Sequence, residues 1–275
     1  MKQTFMGCLL SVICILSTIL PALADSRTPL AARHRFGVGL KTRYFDYKEP
    51  GFMQETGFMY GVVGDYTHHS THNVMVHASL ESSLGRLDYD GHFQDGTPLK
   101  TDTEDWLVEC RGLIGYDIGI NGRYLMTPYT GIGYRYWNDV ISSSYGYERE
   151  IHYWYVPIGV KTAGPLAERW TWGVTAEYDL FCRGIVKSHL TDADPAYNDP
   201  VLNQGFGEGY GVRCALMFAR ALAGGASLSI EPFISYWDIN RSDIGDLCFN
   251  GSPIGHVVEP NNETISYGLS INVNR

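Results

Sequence analysis

The segment 169–188 alternates apolar and polar side chains with a period of two residues. Successive side chains of a strand point to opposite faces, so this period predicts a strand with one apolar and one charged face. The apolar face begins with Trp170 and Trp172, and the opposite face carries Glu177, Asp179 and Arg183. A soluble sheet can show the same alternation. Its repetition in many segments behind a secretion signal instead predicts a transmembrane antiparallel β-barrel, an all-β fold.

The alternation recurs in ten segments, which we interpret as ten strands of one up-and-down barrel. The predicted strands lie at about 33–47, 58–66, 73–88, 106–118, 126–137, 153–161, 169–188, 210–222, 228–237 and 265–273. Short turns are expected after strands two, four, six and eight, with Gly164-Pro165 forming the third. Long loops are expected after the others, including 89–105, 187–209 and 240–263. This asymmetry is typical of outer-membrane barrels and predicts that both chain termini are periplasmic.

The first 24 residues have the pattern of a signal peptide. Lys2 precedes an apolar run at 8–20, and Ala22-Leu23-Ala24 supplies a small-residue cleavage site before Asp25. We therefore expect a signal peptide at 1–24 and a single outer-membrane β-barrel domain at 25–275 in a Gram-negative cell envelope. The formal net charge of −9 argues against nucleic acid as a partner, because phosphate binding requires a basic surface.

The polar faces of the predicted strands bring charges of both signs into the lumen. A ten-stranded barrel is only slightly wider than the eight-stranded size that side chains can fill, so we expect an interior packed with ion pairs and tyrosines. A narrow porin or channel is the alternative, although no ring of one sign is evident. The predicted lumenal charges are Arg35, Lys41, Arg43, Asp65, Glu81, Glu109, Arg111, Asp117, Arg135, Lys161, Glu177, Asp179, Arg183, Arg213 and Glu231.

Four cysteines follow the signal peptide, and none forms a C-x-x-C motif, which argues against zinc or thioredoxin-like sites. Cys182 and Cys214 are placed almost symmetrically about the loop between two predicted neighbouring strands. A cross-strand disulfide between them is geometrically conceivable. The alternative is that both are small apolar residues on the lipid face.

Three segments carry a more specific resemblance: YKEPGFMQETGFMYG at 47–61, PYTGIGYRYWND at 128–139 and KSHLTDADPAYNDP at 187–200. With them the chain resembles the bacterial outer membrane protein β-barrel domain family, including uncharacterised barrels of similar length. The resemblance implies outer-membrane lipid and the barrel-assembly machinery as partners. The terminal strand departs from that pattern, because Val273, Asn274 and Arg275 end the chain without an aromatic residue.

The predicted strand count also resembles that of the omptins, which are ten-stranded outer-membrane proteases. Asp88-Tyr89-Asp90 is similar to their D-x-D element, and His189 and Asp192 lie in a later loop, but no D-x-H follows. The resemblance implies an omptin-like protease as one alternative function. A histidine beside a carboxylate can act as a general base, whereas such residues in polar loops are also ordinary turn formers.

The run from Asp192 through Asp194 and Asn198 to Asp199 offers oxygen ligands for a hard cation, but it lacks the Gly and Glu of an EF-hand loop. Calcium is thus only a secondary hypothesis there, and the sequence assigns no catalytic, cofactor-binding or metal residue. We expect an outer-membrane barrel with a structural or surface-interaction role, no evident catalysis and an extracellular ligand held by the long loops. Whether Asp88, Asp90, His189 and Asp192 form a rim site is left open by the sequence.

Overall fold

The chain forms a closed antiparallel β-barrel of ten long strands, as the alternation predicts. A computed structural model describes residues 33–92 and 96–275, so the predicted signal peptide at 1–24 lies outside the described residues. The long strands are β1 (His34–Glu49), β2 (Met53–His69), β3 (Val74–His92), β4 (Pro98–Tyr116), β6 (Tyr124–Ile141), β7 (Glu148–Ala167), β8 (Trp170–Ser188), β10 (Gly209–Ala221), β11 (Ser227–Ile239) and β14 (Asn262–Asn274).

Each long strand pairs with its neighbour along the chain, and β14 returns to β1 to close the cylinder. Closure leaves no unpaired edge, which a bilayer would not tolerate. Four short strands complete the sheets: β5 (Ile118–Ile120) on β6, β9 (Val201–Gln204) on β8, and a hairpin of β12 (Gly245–Phe249) and β13 (Ser252–Val257). None of the helical segments in the described part of the chain is long and apolar enough to cross a membrane.

The barrel has two distinct ends. The terminal end carries the first residues of β1, the last residues of β14 and the short turns at 70–73, 121–123, 168–169 and 222–226. The loop end carries the remaining connections, including 189–208 and 240–261. The alternation of connections between the two ends was predicted correctly, but the lengths of some connections differ from the prediction.

Two predicted connections are wrong. The expected loop at 89–105 is mostly strand, because β3 continues to His92 and β4 begins at Pro98. The expected turn at Gly164-Pro165 lies within β7, and the chain reverses at Glu168 and Arg169 instead. Arg169 adopts the left-handed conformation, with φ of 63°, that a tight reversal uses.

The outward face carries a belt of apolar side chains bounded by two aromatic rings, as in transmembrane barrels. In β1 the belt runs from Phe36 to Tyr44, and a tilted strand of about 9–11 residues crosses a bilayer. The lower ring, at the terminal end, contains Phe36, Tyr66, Tyr116, Tyr124, Trp170, Trp172 and Phe218. The upper ring, toward the loop end, contains Tyr44, Phe58, Trp106, Tyr136, Trp154, Tyr178, Tyr210, Tyr236 and Tyr267.

We take the segments between the two rings as membrane-spanning. The position of Trp170 and Trp172 in the lower ring agrees with the interpretation of segment 169–188. Several strands continue beyond the upper ring, where outward residues become polar: β1 presents Asp46 and Lys48 there, and β4 presents Glu104 and Asp102. The barrel therefore has a part surrounded by lipid and a part that rises above it.

Candidate functional site

The lumen at and above the upper ring is filled by apolar side chains. Phe45 and Tyr47 of β1 contact Trp137 of β6 directly across the barrel, with ring centroids 5.1 and 4.7 Å apart. Tyr155 of β7 meets Trp237 of β11 at 5.1 Å. The cluster comprises Phe45, Tyr47, Met59, Leu87, Leu107, Trp137, Ile151, Tyr153, Tyr155, Phe181, Val186, Trp237 and Ile239.

We call this group the apolar plug. All its members are at most 3% exposed, and burying such a side chain contributes roughly 1.5–3 kcal/mol. The expectation of a lumen filled mainly by ion pairs and tyrosines is thus incomplete, because aliphatic and tryptophan side chains fill this level. Inward glycines make room for the larger rings: a Cβ added at Gly133 would overlap the ring of Tyr155.

Below the plug, charges of both signs pair across the membrane-spanning part of the lumen. Arg213 contacts Asp179 at 2.6 Å and Glu109 at 2.7 Å, and Arg111 pairs with Glu177. The hydroxyl of Tyr155 donates to Glu109 at 2.7 Å. We call Glu109, Arg111, Glu177, Asp179 and Arg213 the lower ion network. This pairing agrees with the expectation for the interior.

A cavity of about 300 Å³ lies beneath this network. Its lining includes Arg35, Lys161, Thr171, Glu231 and Asn272, so both signs of charge face it. The apolar plug lies between this cavity and the loop end, so the upper half of the described interior is packed and the open space lies in the lower half.

One predicted lumenal charge points the other way. Arg183 is exposed on the outside, because Cys182 is an extra residue at a β-bulge: Trp154 lies opposite Arg183, whereas the next residue, Tyr155, lies opposite Phe181. A bulge shifts the alternation by one residue, which reverses the faces beyond it. Arg183 instead reaches Asn203 at 3.5 Å on the loop end.

The same register excludes the disulfide. Cys214 lies opposite Ala176, and the sulfur of Cys182 contacts the carbonyl of Leu180 at 3.5 Å. All four cysteines in the described residues are free.

The rim residues of the sequence do not assemble into one site. Asp88 and Asp90 lie on the exposed outward face of β3, where Asp90 pairs with Lys100 at 2.7 Å. His189 follows β8, and strands β4, β6 and β7 separate it from β3. The omptin-like element at 88–90 therefore does not face His189.

His189 has carboxylates on both sides. Its Nε2 atom lies 3.1 Å from Glu150, and its Nδ1 atom lies 3.7 Å from Asp199. Glu148, Glu150 and His189 form a group whose potential ligand atoms lie within 4.8 Å of one another. The hydrogen bond with His189 lowers the pKa of Glu150, so this carboxylate is ionised at neutral pH. A histidine held between two carboxylates can take up a proton or orient toward a metal ion.

The cation run predicted from the sequence makes hydrogen bonds within its own loop and to the start of β7. Asp192 accepts the backbone N–H of Glu148 at 3.3 Å, and Asp199 accepts both the N–H and the hydroxyl of Thr191. Asp194 accepts the N–H of Ala196 at 2.9 Å. These carboxylates behave as the turn formers that the sequence offered as the alternative.

The sequence interpretation missed a second group of ions above the plug. Arg149 of β7 contacts Glu49 at 2.8 Å, Glu55 at 3.1 Å, Asp139 at 2.8 Å and Glu259 at 3.8 Å.

Asp105 lies directly opposite Asp139 in the β4–β6 ladder and completes the group. We call Glu49, Glu55, Asp105, Asp139, Arg149 and Glu259 the upper ion cluster, and all six are at most 6% exposed. The signal that could have found them is the inward phase of β1, which continues from Arg43 through Phe45 and Tyr47 to Glu49.

Burial dominates the protonation of the upper ion cluster, which lies beyond the membrane-spanning segments. Burial and the charge of Asp139 raise the pKa of Asp105 to about 7. Burial and the charge of Glu49 raise the pKa of Glu259 to about 8, and the pKa of Glu55 is also raised, mainly by burial. Some of these carboxyls therefore hold protons at neutral pH.

The fold and the belt together define the class: the chain has the fold of bacterial outer-membrane β-barrels. It is similar to the outer membrane protease OmpT from Escherichia coli, with a TM-score of 0.66, 11% sequence identity, and coverage of 88% of this chain and 95% of that one. The translocator domain of the autotransporter NalP from Neisseria meningitidis aligns over 98% of this chain and 97% of its own, with 9% identity and a TM-score of 0.48. The resemblance to ten-stranded omptin barrels is confirmed for the fold.

No protein-family model matches the sequence. No curated protein matches it either.

Proposed function

We propose that the protein is a non-conducting outer-membrane barrel that presents a binding surface for an extracellular macromolecule at its loop end, with both termini in the periplasm. The apolar plug is the observation that carries this proposal. A lumen packed with rings that meet across the barrel offers no continuous water path, so the long connections are the part available for function. Loops on a rigid scaffold are where binding residues concentrate.

The two longest connections are built against each other. Cys248 donates its N–H to Asn198 at 2.7 Å, and the rings of Tyr197 and Phe249 lie 5.1 Å apart. Asn203 donates to Asp243 at 2.7 Å, which joins β9 to the start of the second connection. We call segments 189–208 and 240–261 the loop platform.

The loop platform exposes large apolar side chains above the lipid belt. Phe206 is 72% exposed, Ile244 64% and Ile254 56%. Exposed apolar groups with polar neighbours are typical of protein interaction surfaces. This supports recognition of a macromolecule through the loop platform.

Conductance in planar bilayers tests the closed lumen. The purified, refolded chain is expected to insert without producing conductance steps. Stepwise conductance in the wild-type chain would contradict the closed barrel and favour the channel alternative.

Cell-surface display tests the loop platform. Cells that display the chain are applied to an array of purified serum proteins and glycans. A double variant, Ile244→Asn with Ile254→Asn, is expected to lose the binding that the wild-type chain shows. Leu222→Asn, at an exposed apolar residue of the terminal end, is the matched control and should bind normally. Absence of wild-type binding, or equal binding by the double variant, would reject the proposal.

Hydrolysis at His189 is the second candidate, and the flanking Glu150 and Asp199 favour it. Such a histidine can act as a general base toward water. If the chain is a protease, as its structural neighbour OmpT is named, it should cleave members of a peptide library, and His189→Ala should abolish cleavage. Asp88→Ala and His256→Ala should leave it unchanged, because neither residue contacts His189. A wild-type chain that cleaves nothing removes this candidate.

A further inference from the structure

Three carboxylates of the upper ion cluster converge from three different strands of the barrel. Glu55 comes from β2, Asp105 from β4 and Asp139 from β6, and each offers an oxygen within 4.8 Å of the others. Glu55 and Asp139 are fully buried, and Asp105 is 3% exposed. Asp105 and Asp139 are direct register partners, an arrangement in which like charges oppose each other and destabilise the pair of strands.

The positive charge within the cluster does not balance these carboxylates. Arg149 is one guanidinium shared among contacts with Glu49, Glu55, Asp139 and Glu259. Taking ions out of water costs several kcal/mol each unless geometry and hydrogen bonds compensate. A cluster of five carboxyls around one arginine therefore calls for additional positive charge.

Unpartnered oxygens show where that charge belongs. Within the described residues, Glu55 Oε2 and Asp139 Oδ1 accept no hydrogen bond from any other residue although both side chains are fully buried. They can pair only with each other, when one of the two carboxyls carries a proton. Asp105 accepts the hydroxyl of Thr103 at 2.6 Å and the indole N–H of Trp137 at 2.7 Å. A carboxylate oxygen has two lone pairs, so Asp105 keeps acceptor capacity.

We propose that Glu55, Asp105 and Asp139 bind a divalent cation, with Ca²⁺ preferred over Mg²⁺. Calcium takes oxygen ligands at about 2.3–2.6 Å in flexible geometry, which accommodates oxygens nearly 5 Å apart, whereas Mg²⁺ demands about 2.0–2.1 Å and a near-ideal octahedron. The ion joins β2, β4 and β6 above the membrane-spanning segments and stabilises the scaffold on which the loop platform stands. The site is independent of the surface-binding proposal.

Protons are the competing occupants, because they also neutralise facing carboxylates. Cation binding and proton binding predict different responses. A cation site saturates with metal concentration at fixed pH, whereas carboxyls that hold only protons respond to pH and not to calcium.

Terbium luminescence measures the site in the full refolded chain. Tb³⁺ replaces Ca²⁺, and Trp137, which contacts Asp105, is placed to sensitise its emission. The wild-type chain is expected to show saturable emission that Ca²⁺ displaces more effectively than Mg²⁺. Glu55→Gln, Asp105→Asn and Asp139→Asn should each weaken Tb³⁺ binding at least tenfold.

Two controls make the result specific. Glu150→Gln alters the separate group formed by Glu148, Glu150 and His189 at the loop end and should leave Tb³⁺ affinity unchanged. Trp137→Phe should reduce emission intensity, while the midpoint of thermal unfolding still rises with added Ca²⁺ relative to EDTA. Migration as a compact band in unheated gels establishes that each variant is folded.

The proposal is overturned if the wild-type chain gives no saturable emission and its thermal midpoint is the same in Ca²⁺ and EDTA. That outcome assigns the cluster to protons alone. Loss of emission in Glu150→Gln with retention in folded Asp139→Asn would equally reject it and place the metal at His189.

Discussion

Ions inside the barrel are arranged differently below and above the apolar plug. In the lower ion network, Arg111 and Arg213 face three carboxylates, while in the upper ion cluster Arg149 faces five. The first network lies in the lipid-surrounded part of the barrel and the second lies above it. Where lipid surrounds the wall, nearly balanced charge keeps the polar groups of the lumen paired. Above the lipid, burial raises the pKa of Asp105 and Glu259, so bound protons offset part of the excess negative charge.

The largest expected effect separates the two groups. Arg149→Met leaves four contacting carboxyls without their guanidinium and should reduce the free energy of unfolding by about 3–5 kcal/mol, because the buried carboxyls lose their cationic partner. Urea unfolding of the refolded chain in micelles measures it. Lowering the pH to about 5 should recover part of the loss, because the carboxyls then take up protons. A variant as stable as the wild type would show that Arg149 does not stabilise the upper ion cluster.

Arg213→Met is the matched change in the lower ion network. Arg111 remains beside Glu177, so the expected loss is smaller, about 2–3 kcal/mol. Acid should rescue this variant less, because fewer carboxyls are left unpaired. Equal losses and equal acid rescue for the two variants would contradict the distinction between the two groups.

The pH dependence of wild-type stability tests the protonation of the upper ion cluster. Glu259 has an ordinary pKa of 4.5 and a folded-state pKa of about 8, and Asp105 has 3.8 and about 7. An acid whose folded pKa is raised binds more protons in the folded state, so stability falls as pH rises from about 4 through 8. Urea midpoints should follow that slope in EDTA. Glu259→Gln should flatten it, whereas an unchanged slope would exclude Glu259 as its source.

The sequence predicts the features that repeat along the whole chain. These are the ten segments that alternate apolar and polar residues, the even strand count and the two kinds of connection. In the belt, an apolar outward face opposite a charged inward face identifies a barrel in lipid. Some strands nevertheless extend past their predicted bounds: β4 begins at Pro98 rather than at Trp106.

The reason is that the pattern inverts along a single strand. Between Phe36 and Tyr44 of β1 the outward side is apolar, whereas above Tyr44 it carries Asp46 and Lys48 and the inward side carries Phe45 and Tyr47. The solvent outside the wall changes from lipid to water at that height, so the apolar side moves inward. A search for one fixed amphipathic phase ends the strand at that point, and the plug and the upper ion cluster were missed for this reason.

Two further features depend on contacts that no local pattern contains. The bulge at Cys182 reverses the faces beyond it and moves Arg183 outside. The convergence of Glu55, Asp105 and Asp139 depends on the register of β2, β4 and β6, which closure of the barrel fixes. The rim site that the sequence left open depends on the fold in the same way, because Asp88 and Asp90 both lie in β3 and point outward.

The smallest predicted effect concerns the contact between the plug and the upper ion cluster. Trp137→Phe keeps an aromatic ring against Phe45 but removes the N–H donated to Asp105. A hydrogen bond to a charged group contributes about 1.5–3 kcal/mol, and because Thr103 still donates to Asp105, the expected loss is near the lower value. Losing a donor to the ionised form raises the pKa of Asp105 further, so the deficit should grow with pH. Trp237→Phe, in the same plug but packed on aromatic rings, should show a loss that does not change with pH. Parallel pH profiles for the two variants would mean that the plug and the cluster are energetically separate.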